Sequence, residues 1–360
     1  MSADHADEPR IMLAHGGGGV MMQELIGGLI LRHLGNPTLN RLEDAAVLAP
    51  CSSRLAFTTD AFVVKPIFFR GGDIGRLAVC GAVNDLAAVG AEPLALSLSL
   101  VIEEGLPISV LDRVLQSVAA TAAEARVQVV TGDTKVVERG AADGLFLITA
   151  GLGAVCDGVH LSPAEVRPGD AVIATGTLGD HGIAIISQRS GLEFESPVQS
   201  DVAPLGGLVE HLFAPRSPVR TPHSALRTAV HCMRDPTRGG TAAVLNEIAA
   251  AAKVEIEIEE SLLPVRPEVA GACDMLGFDP LYVPNEGRLI IFCAEDAAAS
   301  LVERLRSHPL AAGAVRIGSV KKGARACPEH SRRGRVVLRT RVGGTRIVAA
   351  PYGEQLPRIC

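Results

Sequence analysis

The sequence predicts an α+β fold in two domains of mixed sheets with helices packed on them. Three observations carry that expectation. The chain has 360 residues, against roughly 100–200 for one domain. Segments with strand alternation and segments with helical spacing are interspersed in both halves. Most of the strands lack the Gly-rich turn of a doubly wound nucleotide fold.

Residues 55–64 (Leu-Ala-Phe-Thr-Thr-Asp-Ala-Phe-Val-Val) are β-branched and aromatic enough for a strand, interrupted at Asp60. Residues 73–90 read as a helix with small residues on its packed side, ended by Gly90 and Pro93. Residues 94–102 alternate as a strand does, with Leu94, Leu96, Leu98 and Leu100 on one face. An amphipathic helix follows over 107–126, with Ile108, Leu111, Leu115 and Val118 at helical spacing. Residues 127–131 and 145–155 are strands around a polar loop. Arg-Pro-Gly-Asp (167–170) turns into a new strand at 171–174, which puts the domain boundary at about 160–168. In the second half, 180–190, 240–252 and 295–306 read as helices. Residues 289–293, 314–320 and 335–338 read as strands. Residues 254–259 alternate Val, Ile and Ile with Glu, as an edge or half-buried strand does. The basic, polar run 321–334 is expected to be an exposed hairpin loop. Cys327 and His330 within it are two ligands, too few for a metal site. From Ala349 onward no pattern supports regular structure. The expected division is 1–162, 163–345 and a mobile tail, 346–360.

Composition limits the function. Hydrophobic residues make up 48 % and charged residues 21 %, values of a packed globular chain. With no Trp, two Tyr and nine Phe, the core must be aliphatic. The net charge of −6 argues against nucleic acid or an anionic membrane as main partner. It leaves room for a nucleotide, which a metal ion can bridge to carboxylates. The eight Cys form no CxxC pair, so neither a zinc ribbon nor a thioredoxin motif is supported. The acidic N-terminus lacks the regions of a signal peptide, and no apolar run reaches membrane-span length. The expectation is a reduced, cytoplasmic protein.

Four carboxylates stand in turn-like or strand-end positions of the first half: Asp44 in Glu-Asp-Ala-Ala-Val, Asp60 in Thr-Thr-Asp, Asp85 in Val-Asn-Asp-Leu and Asp133 in Thr-Gly-Asp-Thr-Lys. Any one of them could be a helix cap or turn residue. Gathered at one point they would repel unless cations shared them, and magnesium takes oxygen ligands and bridges to phosphates. Asn84 and Lys135 lie beside two of them, and Lys is scarce in this chain (65, 135, 253, 321 and 322). The glycine run 16–19 lacks the Lys-Ser/Thr of a P-loop, and is either a phosphate-covering flap or a plain flexible loop. Asp235-Pro-Thr-Arg-Gly-Gly precedes a helix, as an ordinary capped start or as a phosphate seat. Cys360 closes a patternless segment. It is either the end of a frayed tail or a thiolate able to carry a group to a distant site.

Taken together, these motifs resemble the HypE family, the carbamoyl dehydratases of nickel–iron hydrogenase assembly. The resemblance runs from about residue 11 to 360. It is carried by Ala-His-Gly-Gly-Gly-Gly (14–19), Glu-Asp-Ala-Ala-Val (43–47), Phe-Phe-Arg-Gly-Gly-Asp-Ile-Gly (68–75), Ala-Val-Asn-Asp-Leu (82–86) and Thr-Gly-Asp-Thr-Lys-Val-Val (131–137). In the second half it is carried by Gly-Thr-Leu-Gly-Asp-His-Gly (176–182), Arg-Asp-Pro-Thr-Arg-Gly-Gly (234–240) and Asn-Glu-Gly (285–287). The acidic and glycine motifs are shared with aminoimidazole ribonucleotide synthetase and selenophosphate synthetase; the ending Pro-Arg-Ile-Cys is particular to HypE.

The resemblance implies an N-terminal ATP-binding and dimerisation domain, a homodimer through the N-terminal sheets, and ATP with Mg2+ held between domains. It implies that a carbamoyltransferase, HypF, loads Cys360, that ATP-dependent dehydration leaves a thiocyanate, and that the cyanide passes to iron on a HypC–HypD complex. Lys135 and Glu286 match the family positions for deprotonation, though Lys135 could instead steady the phosphate. Asp44, Asp60, Asp85, Asp133 and Asp235 would hold magnesium and ATP (Asp44, Asp60, Asp85 and Asp235 the metal), with Asn84 and Thr134 as hydrogen-bonding neighbours. Val20 stands where many relatives carry a basic residue. Two alternatives remain. A selenophosphate synthetase would need a Cys before the glycine run, where this chain has His15. A non-catalytic carrier scaffold would not need the acidic set.

Overall fold

The computed structural model describes residues 9–16, 20–42, 46, 48, 53–189, 198–213, 223–322, 334–352, 356 and 358–360. The first half opens with two short helices, α1 (Val20–Leu25) and α2 (Leu31–Leu34). Strand β1 (Leu55–Phe62) follows, then a two-residue pair, β2 (Phe68–Phe69) and β3 (Gly72–Asp73). Helix α3 (Ile74–Ala88) leads to β4 (Ala91–Glu103), and α4 (Ile108–Glu124) to β5 (Val129–Val137) and β6 (Leu145–Val155). The four long strands form one sheet in the order β1-β6-β4-β5, with β4 and β5 parallel and the other pairs antiparallel.

Asp73 starts α3 by accepting hydrogen bonds from the amides of Gly75 and Arg76, which satisfies donors that a helix start leaves orphaned. Small residues then bring the helix close to the sheet, as expected from the sequence. A Cβ on Gly81 would lie 2.6 Å from the Phe62 ring. Helices α3 and α4 cover one sheet face, burying Leu96, Leu98 and Leu100 with Leu77, Val114 and Val118. Leu94 departs from the expected face. The β4–β6 register slips between Pro93 and Ala95 and leaves Leu94 43 % exposed. The opposite face carries Leu55 and Phe57, 55 % and 74 % exposed.

The second half is built from β7 (Ala171–Ala174), α5 (Asp180–Arg189), α6 (Gly206–Phe213), α7 (His223–Ala229), β8 (Val230–Arg234) and α8 (Gly240–Ala252). It continues through β9 (Glu255–Glu259), α9 (Pro267–Leu276), β10 (Ile290–Cys293), α10 (Glu295–Arg306), β11 (Val315–Lys321), β12 (Arg335–Arg339) and β13 (Thr345–Val348). Its seven-stranded sheet has the order β13-β12-β9-β11-β7-β10-β8. Both faces are covered, by Leu208, Leu212, Leu301 and Leu305 on one side and by Leu245 and Ile248 on the other. That explains why β7 and β10 are apolar without alternation. Strand β9 is interior, so the half-buried reading of its alternation holds: Ile256 and Ile258 are buried, while Glu255 and Glu257 face Arg335 and Lys321. The second sheet runs on to Val348, past the expected boundary at 345. Among the described residues no helix is long and apolar enough to cross a membrane.

One buried amide keys the two halves together. Asn84, on α3, donates to the carbonyls of Ala203 (3.1 Å) and Glu286 (2.9 Å) and accepts from the amide of Leu205 (2.8 Å).

Candidate active site

Strand β1 runs along the seam between the halves, and a cavity opens at each end of it. The first, about 710 Å³, is lined by Leu55 to Thr58, by Asp85 of α3, and across the seam by His160, Arg234, Asp235 and Thr237. The second, about 530 Å³, lies beyond Ala61 and Val63 and is lined by Arg238, Gly239, Pro284 and the tail residues Arg358, Ile359 and Cys360. Gly239 and Gly240 hold φ of +77° and +62° at the start of α8, and a Cβ on Gly240 would lie 2.6 Å from the carbonyl oxygen of Leu281. No side chain caps this helix start.

Between the cavities four carboxyls crowd one another. Burial raises the pKa of Asp60, and the charge of Asp85 adds to it, against an opposing hydrogen bond from Ala61 and the Arg238 guanidinium at 3.7 Å. Asp85 accepts a 2.5 Å hydrogen bond from the Thr58 hydroxyl. Burial, then Asp85 and Asp60, push Asp235 up to about 7. Glu286 is 2 % exposed. Burial first, then Asp235, Asp201, Asp60 and Asp85, raise its pKa well above the carboxylate range. Its Oε1 has no hydrogen-bond partner, while its main chain is held from both sides, the amide by Asp201 at 3.2 Å and the carbonyl by Asn84. Like charges gathered in a poorly solvated place are relieved by taking up protons or by sharing a cation. Among the described residues no three Asp, Glu, His or Cys side chains converge as a metal cage. A cation shared with phosphates needs only one or two carboxylates, and that is what this spread set can supply.

Of the residues singled out in the sequence, Asp60, Asp85, Asp235, Glu286 and Cys360 are thus brought to one seam. Asn84 is there too, engaged with main chain on both sides of it. Asp133, Thr134 and Lys135 are not. They lie on β5, at the opposite edge of the sheet from β1, about 14 Å away at three strand spacings. Lys135 pairs with Asp133 at 3.4 Å, both largely exposed. Asp44 and most of the glycine run (17–19), together with 323–333, lie outside the described residues.

Three residues that the sequence did not single out belong to the seam. Asp201 accepts from the amides of Glu286 and Gly287 and from the Asn285 side chain. It stands in a loop without any pattern that could have flagged it. His181 and Arg189, on α5, hold the tail: His181 Nε2 lies 2.9 Å from the carbonyl oxygen of Ile359, and Arg189 donates to that of Arg358. Ile359 is 2 % exposed. His181 stood inside a quoted motif, but nothing in its spacing pointed to the chain's other end.

Comparison with known proteins follows the same outline. The family model of AIR synthase related protein, N-terminal domain, matches residues 42–155, and that of the C-terminal domain matches 167–327. Carbamoyl dehydratase HypE of Rhodobacter capsulatus is 46 % identical over 356 residues, covering 98 % of this chain and 99 % of that protein. Carbamoyl dehydratase HypE of Escherichia coli (strain K12) is 42 % identical over 359 residues, covering 97 % and 99 %. Among solved structures, hydrogenase maturation protein HypE in complex with ATP superposes with a TM-score of 0.88 at 45 % identity, covering 97 % of this chain and 99 % of that one. A HypE–HypF complex superposes with a TM-score of 0.76 at 40 % identity, covering 92 % and 100 %.

Proposed function

Because the chain belongs to the HypE family of carbamoyl dehydratases, we propose that it binds magnesium–ATP at the seam between its domains and dehydrates a carbamoyl group carried on Cys360, within hydrogenase maturation. The observation that carries this reading is the alignment along β1 of a large cavity, a set of carboxyls short of positive charge, and a second cavity holding Cys360.

An amide oxygen is a poor leaving group, and phosphate is a good one. The carbamoyl oxygen attacks the γ-phosphorus of ATP, and the bond from that phosphorus to ADP breaks. Two protons leave the nitrogen as the carbon–oxygen bond breaks. Phosphate departs, and a thiocyanate remains on the Cys360 sulfur. Asp60, Asp85 and Asp235, with Asp44, would hold magnesium, which supplies charge neutralisation to the phosphates. Glu286 suits a proton acceptor: burial and its acidic neighbours make its carboxylate a stronger base than a free one, and its free Oε1 has no competing partner. Asn84 serves by holding Glu286 in place. Cyanide would then pass to iron on a HypC–HypD complex in the cytoplasm, and HypF would be the carbamoyl donor, as the related HypE–HypF complex suggests.

Asp133 and Lys135 enter this chemistry through a homodimer, whereas Thr134, buried on the helix-covered face, does not. Leu96, Leu98 and Leu100 are spent on the chain's own helices, so the interface is the other face, where Leu55 and Phe57 are exposed. Register puts Asp133 and Lys135 on the face of β5 continuous with it, since Leu100, whose side chain is buried, pairs with Thr134. A second copy against that face would bring Lys135 toward the seam of its neighbour, to deprotonate nitrogen or to steady phosphate.

The test is the mass of the peptide that ends at Cys360, taken from protein carbamoylated by HypF, before and after ATP is added. Loss of one water is expected. An unchanged mass with ATP bound would leave only a carrier.

A further inference from the structure

We propose that His181 and Arg189 are positioning residues that fix the Cys360 sulfur at the seam by gripping main-chain carbonyls of the tail. The proposal rests on the dehydratase reading above for its functional consequence, but the grip itself stands on geometry.

His181 is fully buried on α5. Its Nε2 lies 2.9 Å from the Ile359 carbonyl oxygen and its Nδ1 2.8 Å from Ser200 Oγ. A carbonyl can only accept, so Nε2 carries the proton and Nδ1 accepts from the hydroxyl. Phe69 meets the ring edge-on at 5.6 Å between centroids, and burial pushes the pKa of His181 down, which keeps the ring neutral in this role. At the end of the same helix Arg189 donates to the carbonyls of Arg358 and Lys65. The first domain grips from the other side. The amide of Val63 donates to a main-chain oxygen of Cys360 at 3.1 Å, and that of Lys65 to the Arg358 carbonyl oxygen at 3.2 Å. Arg358, at φ +54°, returns its guanidinium to the Val63 carbonyl at 2.9 Å and to Asp143.

Nearly all of these contacts read the tail's backbone. None depends on what the Cys360 sulfur carries. A thiol, a carbamoyl thioester and a thiocyanate would therefore be seated in one register, each presenting its reacting atoms to the same place. Holding a reactant so is worth large factors in rate.

The experiment uses the full chain with three variants. Arg189→Ala removes one grip. His181→Phe keeps a ring beside Phe69 but removes both nitrogens. His181→Gln restores an N–H donor. Iodoacetamide is the probe: alkylation of Cys360 is timed by mass spectrometry, and hydrogen exchange is followed at the Val63 amide. Arg189→Ala and His181→Phe should speed Cys360 alkylation about tenfold and expose the Val63 amide, as expected for loss of a buried hydrogen bond, with calorimetric ATP affinity unchanged. Gln should recover most of the protection. In carbamoylated protein, turnover should fall about tenfold in the same two variants with KM for ATP unchanged. Unaltered alkylation and exchange in Arg189→Ala would overturn the grip, and that variant decides alone if His181→Phe does not fold. A wild-type chain that bound ATP but dehydrated nothing would sink the dehydratase reading instead, and the alkylation result would still judge the grip.

Discussion

Replacing Asp235 by Asn should stabilise the protein above neutral pH and weaken its hold on magnesium–ATP. The carboxyl ordinarily titrates near 3.8, and in the fold it is pushed up to about 7. A gap of about three units, at about 1.4 kcal/mol each, bounds the cost of keeping it charged at about 4 kcal/mol. Asp235 keeps some contact with solvent, and that screening brings the figure to about 2 kcal/mol. The sign follows from proton binding. The folded chain holds this proton to higher pH than the unfolded chain does. Stability is therefore fullest below about pH 4, falls as pH rises through about 7, and is level beyond that. Asp235→Asn does not titrate, so it should match the wild type at pH 4 and exceed it by about 2 kcal/mol at pH 8. Urea unfolding followed by circular dichroism at half-unit steps of pH, without nucleotide or magnesium, measures the gap. Saturating magnesium–ATP should narrow it by stabilising the native wild type. A gap of constant size across the pH range, or a variant less stable than wild type at pH 8, would refute the picture of a crowded, cation-deficient carboxyl.

Three further outcomes are expected. Asp85→Ala should lower magnesium–ATP affinity at least tenfold with the melting temperature nearly unchanged; equal calorimetric affinity would remove Asp85 from the site. Cys360→Ala should bind ATP normally but accept no carbamoyl group, and labelling at Cys156 instead would disqualify the tail. Phe57→Asp should convert a dimer to a monomer in light scattering at micromolar concentration, because a charge would be buried in an apolar interface. A monomeric wild type would reject the interface outright.

The parts of the fold that could be read in advance are those whose pattern is local. Strand β1, helix α4 and strand β9 announce themselves by alternation or helical spacing, and each lies within a few residues of the expected place. Helix α6 does not, because it is only eight residues long and opens on two glycines, which are poor helix formers. Strand β13 is an edge with only Val348 buried, so it has no face to display. Asp60, Asp85 and Asp235 could be picked out because each stands in a polar motif beside an apolar run, whereas Asp201 stands in none. Their sorting could not. That Asp60 and Lys135 fall on opposite sheet edges follows from the strand order, in which β6 inserts between β1 and β4. The role of Asn84 as a main-chain clamp depends on Ala203, Leu205 and Glu286, more than a hundred positions away, and no spacing rule reaches that far.

The Asn84 clamp also governs how this molecule can move. Swinging the domains apart would break three hydrogen bonds in a dry place at once, each worth about 1 kcal/mol when made and more when left unmade. Widening the interdomain space at this point therefore costs on the order of 3 kcal/mol before any other contact is counted. Releasing Cys360 from its place is a separate event with its own cost, because Ile359 is buried in the core of the first half and would have to leave it.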